Sequence, residues 1–399
     1  MNNSVIDIEE KTLDEIINSC LKRVEQQNFK GYDPYDVLNS KFIQFISLKN
    51  KYLKAGFTQL FRRLPINLRP LVLIRKGHNP KGIGLLLESY SKLYSVEKKE
   101  NYLTIIDQLL EILDNTKSKG YHGNCWGYNF PWQSREVYKP RWTPTIVNTS
   151  FIGHALIYCF EYTKREKALE LAKSIPNFII NDLNRLNEND TFCFSYSPID
   201  REFVHNANML GASFLIRYAK LFDKPELVPI AHKSMQYSIN SQNQDGSWFF
   251  AISTAHKWID SFHTGFKLES IRWFIELGEG DDYIKSYTKG YEFYCKNLFL
   301  NDGTPKYYHN KKFPIDIHAP AEAIYFLSKS SDSYHKTITA KVYIWTINHM
   351  LSQSGNYFYF RITKYATNKI EYTRWSTSWM IRGFVELKIN LQKQHHGKI

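Results

Sequence analysis

Cysteine is scarce and scattered. The five thiols, at Cys20, Cys125, Cys159, Cys193 and Cys295, are odd in number and form neither a CxxC nor an adjacent Cys-His pair. That pattern argues against a disulfide framework and a structural zinc site; reduced thiols are expected, with no metal and no other cofactor. No run of about 18 apolar residues is present to cross a bilayer. The opening stretch, residues 1–10, lacks the basic and apolar regions of a secretory signal, so a cytoplasmic location is expected. Acidic residues are outnumbered, 39 against 52 Lys and Arg, which leaves a formal net charge of +13. Such an excess favours an anionic partner, whether acidic polysaccharide, lipid-linked oligosaccharide, membrane surface or nucleic acid. No nucleic-acid reading module is recognisable, so nucleic acid is not expected as a partner.

Aromatic residues are abundant: 27 Tyr, 26 Phe and 9 Trp in 399 residues, within a hydrophobic content of 43%. That is enough for a sizeable core. Rings left over in loops would suit a sugar cleft, because ring faces stack on the apolar faces of pyranoses; for any one ring, packing is the plainer reading.

A long repeat orders the chain. Helices begin after polar loops near Asn79, Asn148, Asn206, His263, His318 and Trp375, at intervals of 69, 58, 57, 55 and 57 residues. Small residues sit just inside each start, among them Gly82, Gly84, Gly153, Gly211, Gly265 and Ala321, as close approach of helix backbones requires. Amphipathic segments at about 11–27, 98–115, 164–183, 225–241, 282–298 and 334–352 alternate with them. Six pairs at this spacing are longer than common solenoid repeats and leave room for a helical hairpin plus a functional loop. The expected fold is all-α, an (α/α)6 toroid of six helical hairpins in one domain over 1–399, with short strand-like loops at its mouth. An open helical solenoid is the alternative.

The loops before the inner helices would then crowd one mouth, with helix N-termini directing positive dipole ends inward. The first of them offers Trp126, Tyr128 and Trp132 for stacking and Arg135 for a carboxylate. Successive mouths carry His205 and Asn206, Trp258, Asp260 and His263, Asp316 and His318, and Glu322. Tyr372, Arg374 and Trp375 close the ring, and Asn148 starts its own helix. Asp260 with His263, and Asp316 with His318, have the spacing of a base and its orienting group. Each also suits a helix cap. Glu269 falls at a register otherwise mostly apolar, where a carboxylate is either desolvated or paired with a neighbouring cation. The turn Gln242-x-x-Asp245-Gly246-Ser247-Trp248 looks like the QW motif of triterpene cyclases; the Asp-rich catalytic motif of those enzymes is absent, and the turn reads as scaffold.

Residues 28–78 form a basic amphipathic insertion. Between Lys51 and Lys76 there are seven Lys or Arg and no acid, interleaved with leucine, isoleucine and phenylalanine. Such a stretch can lie on an anionic membrane surface, or pack on the toroid with its charges solvated.

Several segments resemble proteins encoded in bacterial capsule and exopolysaccharide biosynthesis clusters, which are similar to six-hairpin glycosidases. These are Gly31-Tyr-Asp-Pro-Tyr-Asp36, Leu64-Pro-Ile-Asn-Leu-Arg-Pro70, Asn79-Pro-Lys-Gly82, Trp126-Gly-Tyr-Asn-Phe-Pro-Trp-Gln133, Pro144-Thr-Ile-Val-Asn-Thr149 and Trp258-Ile-Asp-Ser-Phe-His-Thr-Gly265. The resemblance implies an (α/α)6 fold and a role in making or tailoring a surface polysaccharide; it brings no catalytic assignment. Two chemistries fit. Hydrolysis needs two carboxyls flanking a glycosidic bond, for which Asp260, Asp316 and Glu322 are candidates, and the resemblance leans this way. Lyase or epimerase chemistry needs a base to take the proton α to a uronate carboxyl while Asn, His and Arg neutralise the carboxylate; Asn148 or Asn206, His205 or His263, Tyr372 and Arg374 are candidates. A non-catalytic glycan-binding or scaffold protein at the inner membrane is the alternative outside catalysis.

Overall fold

The structure, a computed structural model, describes residues 8–48, 50–134 and 137–396. Six inner helices form a closed ring: α4 (Pro80–Glu97), α6 (Ile146–Thr163), α9 (His205–Leu221), α11 (Ser261–Glu276), α13 (His318–Leu327) and α15 (Ser378–His396). Each packs against the next in chain order, and α15 returns to α4. Closure distinguishes a toroid from an open solenoid. Outside them lie α5 (Glu100–Asn115), α7 (Glu166–Ala172) with α8 (Ile175–Asn181), α10 (Val228–Asn240), α12 (Ile284–Asn297), α14 (Ser333–Met350) and α1 (Glu10–Gln26). The third outer helix is broken because Pro176 cannot continue the helical hydrogen bonding past Ser174.

The two rings differ as their environments demand. Inner helices are buried almost all round; Pro80 to Leu93 and His205 to Ala219 are continuous buried runs. Outer helices keep one apolar face, as Leu13, Ile16, Ile17, Cys20, Leu21 and Val24 show on α1. Small residues at the inner crossings are required by contact. A Cβ on Gly153 would meet the Phe214 ring at 2.5 Å, and one on Gly265 would meet Glu322 Cγ at 2.5 Å. The turn at Asp245-Gly246 is scaffold: Gln242 donates to the carbonyls of Gly246 and Ser286, and Trp248 Nε1 donates to Ser238.

Three small antiparallel sheets fold over the helix N-termini: β1 (Trp132–Gln133) with β2 (Tyr138–Lys139), β3 (Arg185–Glu188) with β4 (Thr191–Phe194), and β5 (Ile315–Asp316), β6 (Arg361–Ile362) and β7 (Thr367–Asn368) in that order. Residues 36–76 carry two further helices, α2 (Lys41–Ser47) and α3 (Lys51–Arg63), with their own apolar cluster of Val37, Leu38, Ile43, Phe61 and Ile74. Arg69, wholly buried, fastens this segment to the ring. It donates to Asp36 Oδ1 at 2.6 Å, to the Tyr372 hydroxyl at 2.9 Å and to the Asp33 carbonyl at 2.7 Å. No helix among the described residues is long and apolar enough to cross a membrane.

Candidate active site at the toroid mouth

Asp260 and His263 form the most organised group at the mouth. Asp260 is the N-cap of α11; its Oδ1 accepts from the His263 backbone N–H at 3.0 Å. The same carboxylate receives Trp258 Nε1 at 3.1 Å and faces His263 Nδ1 at 2.8–2.9 Å from both oxygens. Burial alone would raise the Asp260 carboxyl, but the His263 side chain and backbone outweigh it and hold it below the usual carboxylate range. Capping and orienting are therefore one arrangement: the carboxylate fixes the Nδ1–H tautomer of His263. His263 keeps 20% of its side chain exposed, and its Nε2 has no hydrogen-bond partner among the described residues.

His318, the first residue of α13, lies in the same aromatic patch. Phe262 is 5.0 Å away between ring centroids, Trp375 4.1 Å and Trp379 4.9 Å. Burial, followed by the charges of Lys81, Arg374, His263 and Arg361, pushes its pKa well down, so it is a neutral imidazole. Its Nδ1 has no hydrogen-bond partner among the described residues, lying 3.7 Å from Asp316. Asp316 thus departs from the role its spacing suggested. It is bound by Arg361 through both Nε and Nη2 and by Trp375 Nε1, across the β5–β6 pairing and the last loop.

Lys81 was not singled out from the sequence. It sits in the first turn of α4, is 4% exposed, and its Nζ has neither a hydrogen-bond nor an ion-pair partner among the described residues. It stands 4.5 Å from the centroid of Phe151 and 5.1 Å from that of Trp379. Burial, then the Arg374 and Arg382 charges, press its pKa well below that of an ordinary lysine. A cation in the first turn of a helix opposes the helix dipole, and that was the available signal.

Around these groups, several buried polar atoms at the mouth ends of the inner helices lack a partner within the described protein: both amide atoms of Asn148, Asn206 Oδ1, Thr377 Oγ1 and Trp379 Nε1. Neither asparagine is a cap; α6 is capped by Thr145, and α9 has no side-chain cap. Polar groups left in this state are those a polyhydroxylated ligand satisfies.

Other residues nominated from the sequence are committed elsewhere. Trp126 is fully buried, its Nε1 donating to Leu113 at 2.8 Å, so it plugs the wall and presents no stacking face. Tyr372 is buried and accepts from Arg69. Arg374 forms a paired contact with Asp33, with Nη2 to Oδ1 at 2.8 Å, and lies 5.0 Å from the Tyr128 centroid. Tyr128 itself stacks on Phe130, and Trp132 meets Tyr196 edge-on beside Lys139. Trp258 stacks on Phe250. His205 is buried, with Nδ1 3.3 Å from Ser238, and burial lowers its pKa to about 3. Arg135 lies outside the described residues.

Glu322 and Glu269 belong to a charged plug along the ring axis. Arg382 donates from Nε to Glu88 at 2.9 Å, reaches Glu269 at 3.3 Å and Glu322 at 3.5 Å, and stacks on Tyr325. Lys92 bridges Glu88 and Glu386 at 2.6 and 2.7 Å, and Lys329 lies 3.6 Å from Glu269. Burial and the neighbouring Glu269 raise the Glu322 pKa well above the carboxylate range, whereas Glu269, buried but beside Arg382, is held low. Three carboxylates then face three cations, with Glu322 the fourth acid, pushed toward its protonated form by burial and by Glu269. A separate cavity of about 700 Å³ opens near the far ends of α11 and α13, lined by Arg272, Tyr287, Tyr291, Phe326 and Lys329; it shares no residue with the mouth. Among the described residues no group of His, Cys, Asp and Glu is placed to hold a metal ion.

This is the mouth of a six-hairpin (α/α)6 toroid. No protein-family model matches the chain, and no curated protein sequence does. Solved structures do match. A GH76 α-mannanase from Bacteroides thetaiotaomicron has a TM-score of 0.63 at 13% identity, over 80% of this chain and 88% of that one. Cellobiose 2-epimerase from Bacillus thermoamylovorans has 0.63 at 14%, over 79% and 88%. The Lin0763 protein from Listeria innocua has 0.61 at 12%, over 96% and 98%. At these identities the likeness is one of fold.

Proposed function

We propose that the protein is a carbohydrate-active enzyme of epimerase or isomerase type, moving a proton at a sugar carbon next to a carbonyl or carboxyl group. The observation that carries this reading is the His263–Asp260 pair: an imidazole with its Nδ1 held by a buried carboxylate and its Nε2 unpartnered at an aromatic mouth. His263 Nε2 takes the proton. The His263 imidazolium so formed returns the proton to the planar intermediate, and neutral His318, in the same patch, is placed to hydrogen-bond a sugar oxygen. Lys81 and the Asn148 and Asn206 amides stabilise charge on the sugar oxygen. Glycoside hydrolysis is less well supported because its carboxyl candidates are engaged: Asp260 by His263 and Trp258, Asp316 by Arg361 and Trp375, and Glu322 in the axial plug. The fold is shared by both kinds of enzyme, so fold does not choose between them. The substrate class is an anionic glycan of surface-polysaccharide assembly in the cytoplasm, whose charge, when bound, favours the protonated form of Lys81.

Incubation in D2O with reducing disaccharides and uronate-containing oligosaccharides tests the reading. Solvent deuterium should enter the carbon beside the carbonyl or carboxyl, and His263→Asn should abolish it. New reducing ends without carbon-bound deuterium would overturn it in favour of hydrolysis; binding without turnover would favour a glycan-binding protein.

A further inference from the structure

The described residues expose eighteen large apolar side chains, and ten of them lie between Phe42 and Leu73. Phe45 and Tyr52 are each 75% exposed, Leu71 78% and Leu73 83%. Single exposed apolar residues need no explanation, but this density in one short segment does. Two of the leucines are displayed at a conformational cost. Leu48 and Leu73 have φ of 47° and 59°, a region bulky L-residues rarely adopt.

Charge is concentrated in the same segment. Residues 41–76 contain nine Lys or Arg and no Asp or Glu. Without them the chain holds 43 basic and 39 acidic residues, so nine of the thirteen excess charges belong to this segment. Lys41, Lys51, Arg63, Arg75 and Lys76 are exposed and have no carboxylate partner among the described residues. The segment also stands at the mouth. Lys54 lies over Tyr138 of β2, Asn368 of β7 donates to the Leu64 carbonyl, and Arg62 holds the Tyr35 hydroxyl, whose ring is 5.2 Å from Trp375.

We infer that residues 41–76 dock the protein on an anionic lipid bilayer with the toroid mouth beside the membrane surface. Apolar side chains enter the acyl boundary while the surrounding Lys and Arg meet anionic headgroups. Resting on the reading of the mouth as a sugar site, this makes the substrate a lipid-linked saccharide presented from that bilayer. A protein partner or a second copy is the weaker occupant, since a surface with no acid at all would repel its own copy.

Co-sedimentation with vesicles of about three parts phosphatidylcholine to one part phosphatidylglycerol tests docking. The full chain should pellet with these vesicles at low salt, bind pure phosphatidylcholine far less, and be released by salt. A Phe45→Ser, Leu71→Ser, Leu73→Ser variant should lose at least about tenfold in binding with an unchanged melting temperature, because these side chains are exposed. Absence of pelleting on anionic vesicles, equal pelleting of the variant, or a concentration-dependent dimer that the variant abolishes would overturn the inference. Deuterium exchange into a soluble sugar by the same variant should equal that of the wild type. Loss of docking and loss of mouth chemistry are therefore read separately.

Discussion

Asp260→Asn separates the two duties of one carboxylate. Asn is as good an N-cap as Asp, so the bond from the His263 backbone N–H to Oδ1 survives. The amide nitrogen then replaces Oδ2, which lies 2.8 Å from His263 Nδ1 and 3.1 Å from Trp258 Nε1. A donor there repels Nδ1–H, and the remaining acceptor Oδ1, 2.9 Å from Nδ1, is already engaged by the His263 backbone N–H, so the balance shifts toward the Nε2–H tautomer, which lacks the outward lone pair. Losing charge-assisted bonds costs about 1.5–3 kcal/mol, offset in part by relief of a buried charge, so a net loss of about 1 kcal/mol is expected. Catalysis should suffer far more. A base held in the wrong tautomer costs about 10²–10⁴ in rate, or about 3–5 kcal/mol of barrier. The tautomer can be read without a substrate, from ¹⁵N chemical shifts of the imidazole nitrogens near neutral pH. Wild type should show Nδ1–H and the variant Nε2–H, with deuterium exchange into sugar lost in parallel. Full activity in the variant, or an Nε2–H tautomer already present in wild type, would refute the reasoning.

Lys81→Met should leave the melting temperature unchanged or raised, because a buried unpaired amine is removed, while activity on anionic sugars falls at least about tenfold; matched thermal melts and turnover assays check both halves. In the axial plug, Glu88→Gln leaves Arg382 and Lys92 short of a counter-charge and should cost about 3–5 kcal/mol in urea unfolding. Glu322→Gln, replacing an acid that burial and Glu269 push toward its protonated form, should stay within about 1 kcal/mol of wild type. Acid should unfold the protein through this plug. Buried Glu269 and Glu386 both have pKa held at about 2 by Arg382 and Lys92 respectively. Their stabilisation is full above the ordinary value near 4.5 and is lost as pH falls towards 2. Each contributes about 3 kcal/mol, less than additively because the groups are coupled, so the urea midpoint should drop steeply from pH 5 to pH 3. Lys267 acts in the opposite range. Burial lowers it to about 8, so its native form sheds a proton before its unfolded form, and this group's contribution to stability rises from pH 8 to about 10.

The ring was legible in the sequence because its cause is local. Backbone proximity at each inner crossing demands a small residue, and the demand recurs once per hairpin, as Gly153 and Gly265 illustrate. Helix starts were displaced by one to three residues where the side chain taken for a cap lies inside the first turn. Asn148 follows the cap Thr145, and Asp260 precedes the nominated His263. The His263–Asp260 pair was readable for the same reason, since its members are three residues apart on one helix start. Partnerships across the ring left no local trace. Asp33 meets Arg374 over 341 positions, Arg69 meets Tyr372 over 303, and Asp316 is held by Arg361 45 residues on. Periodicity places each of these residues on a loop and is silent on which loop faces it.

The net charge shows where such silence misleads. A basic chain with dipoles converging on one mouth invites a single conclusion, that the excess charge lines the mouth for an anionic substrate. In the folded protein the mouth cations are largely spent. Arg374 holds Asp33, Arg361 holds Asp316, and Lys139 holds Asp200 and Glu202. The Lys81 amine is left without an ion-pair partner among the described residues of the aromatic patch, and burial favours its neutral form. Most of the surplus lies instead within residues 41–76, where Lys41, Lys51, Arg63, Arg75 and Lys76 are exposed among leucine and phenylalanine side chains while Arg69 is buried against Asp36. Charge and aromatic content, which together suggested one binding surface, therefore describe two. One is a nearly charge-balanced aromatic mouth, proposed above as a sugar site. The other is a cationic apolar platform beside it, inferred above to dock on an anionic bilayer. The salt dependence of the two should differ accordingly: membrane association should weaken steeply with ionic strength, while turnover of a soluble neutral sugar should change little.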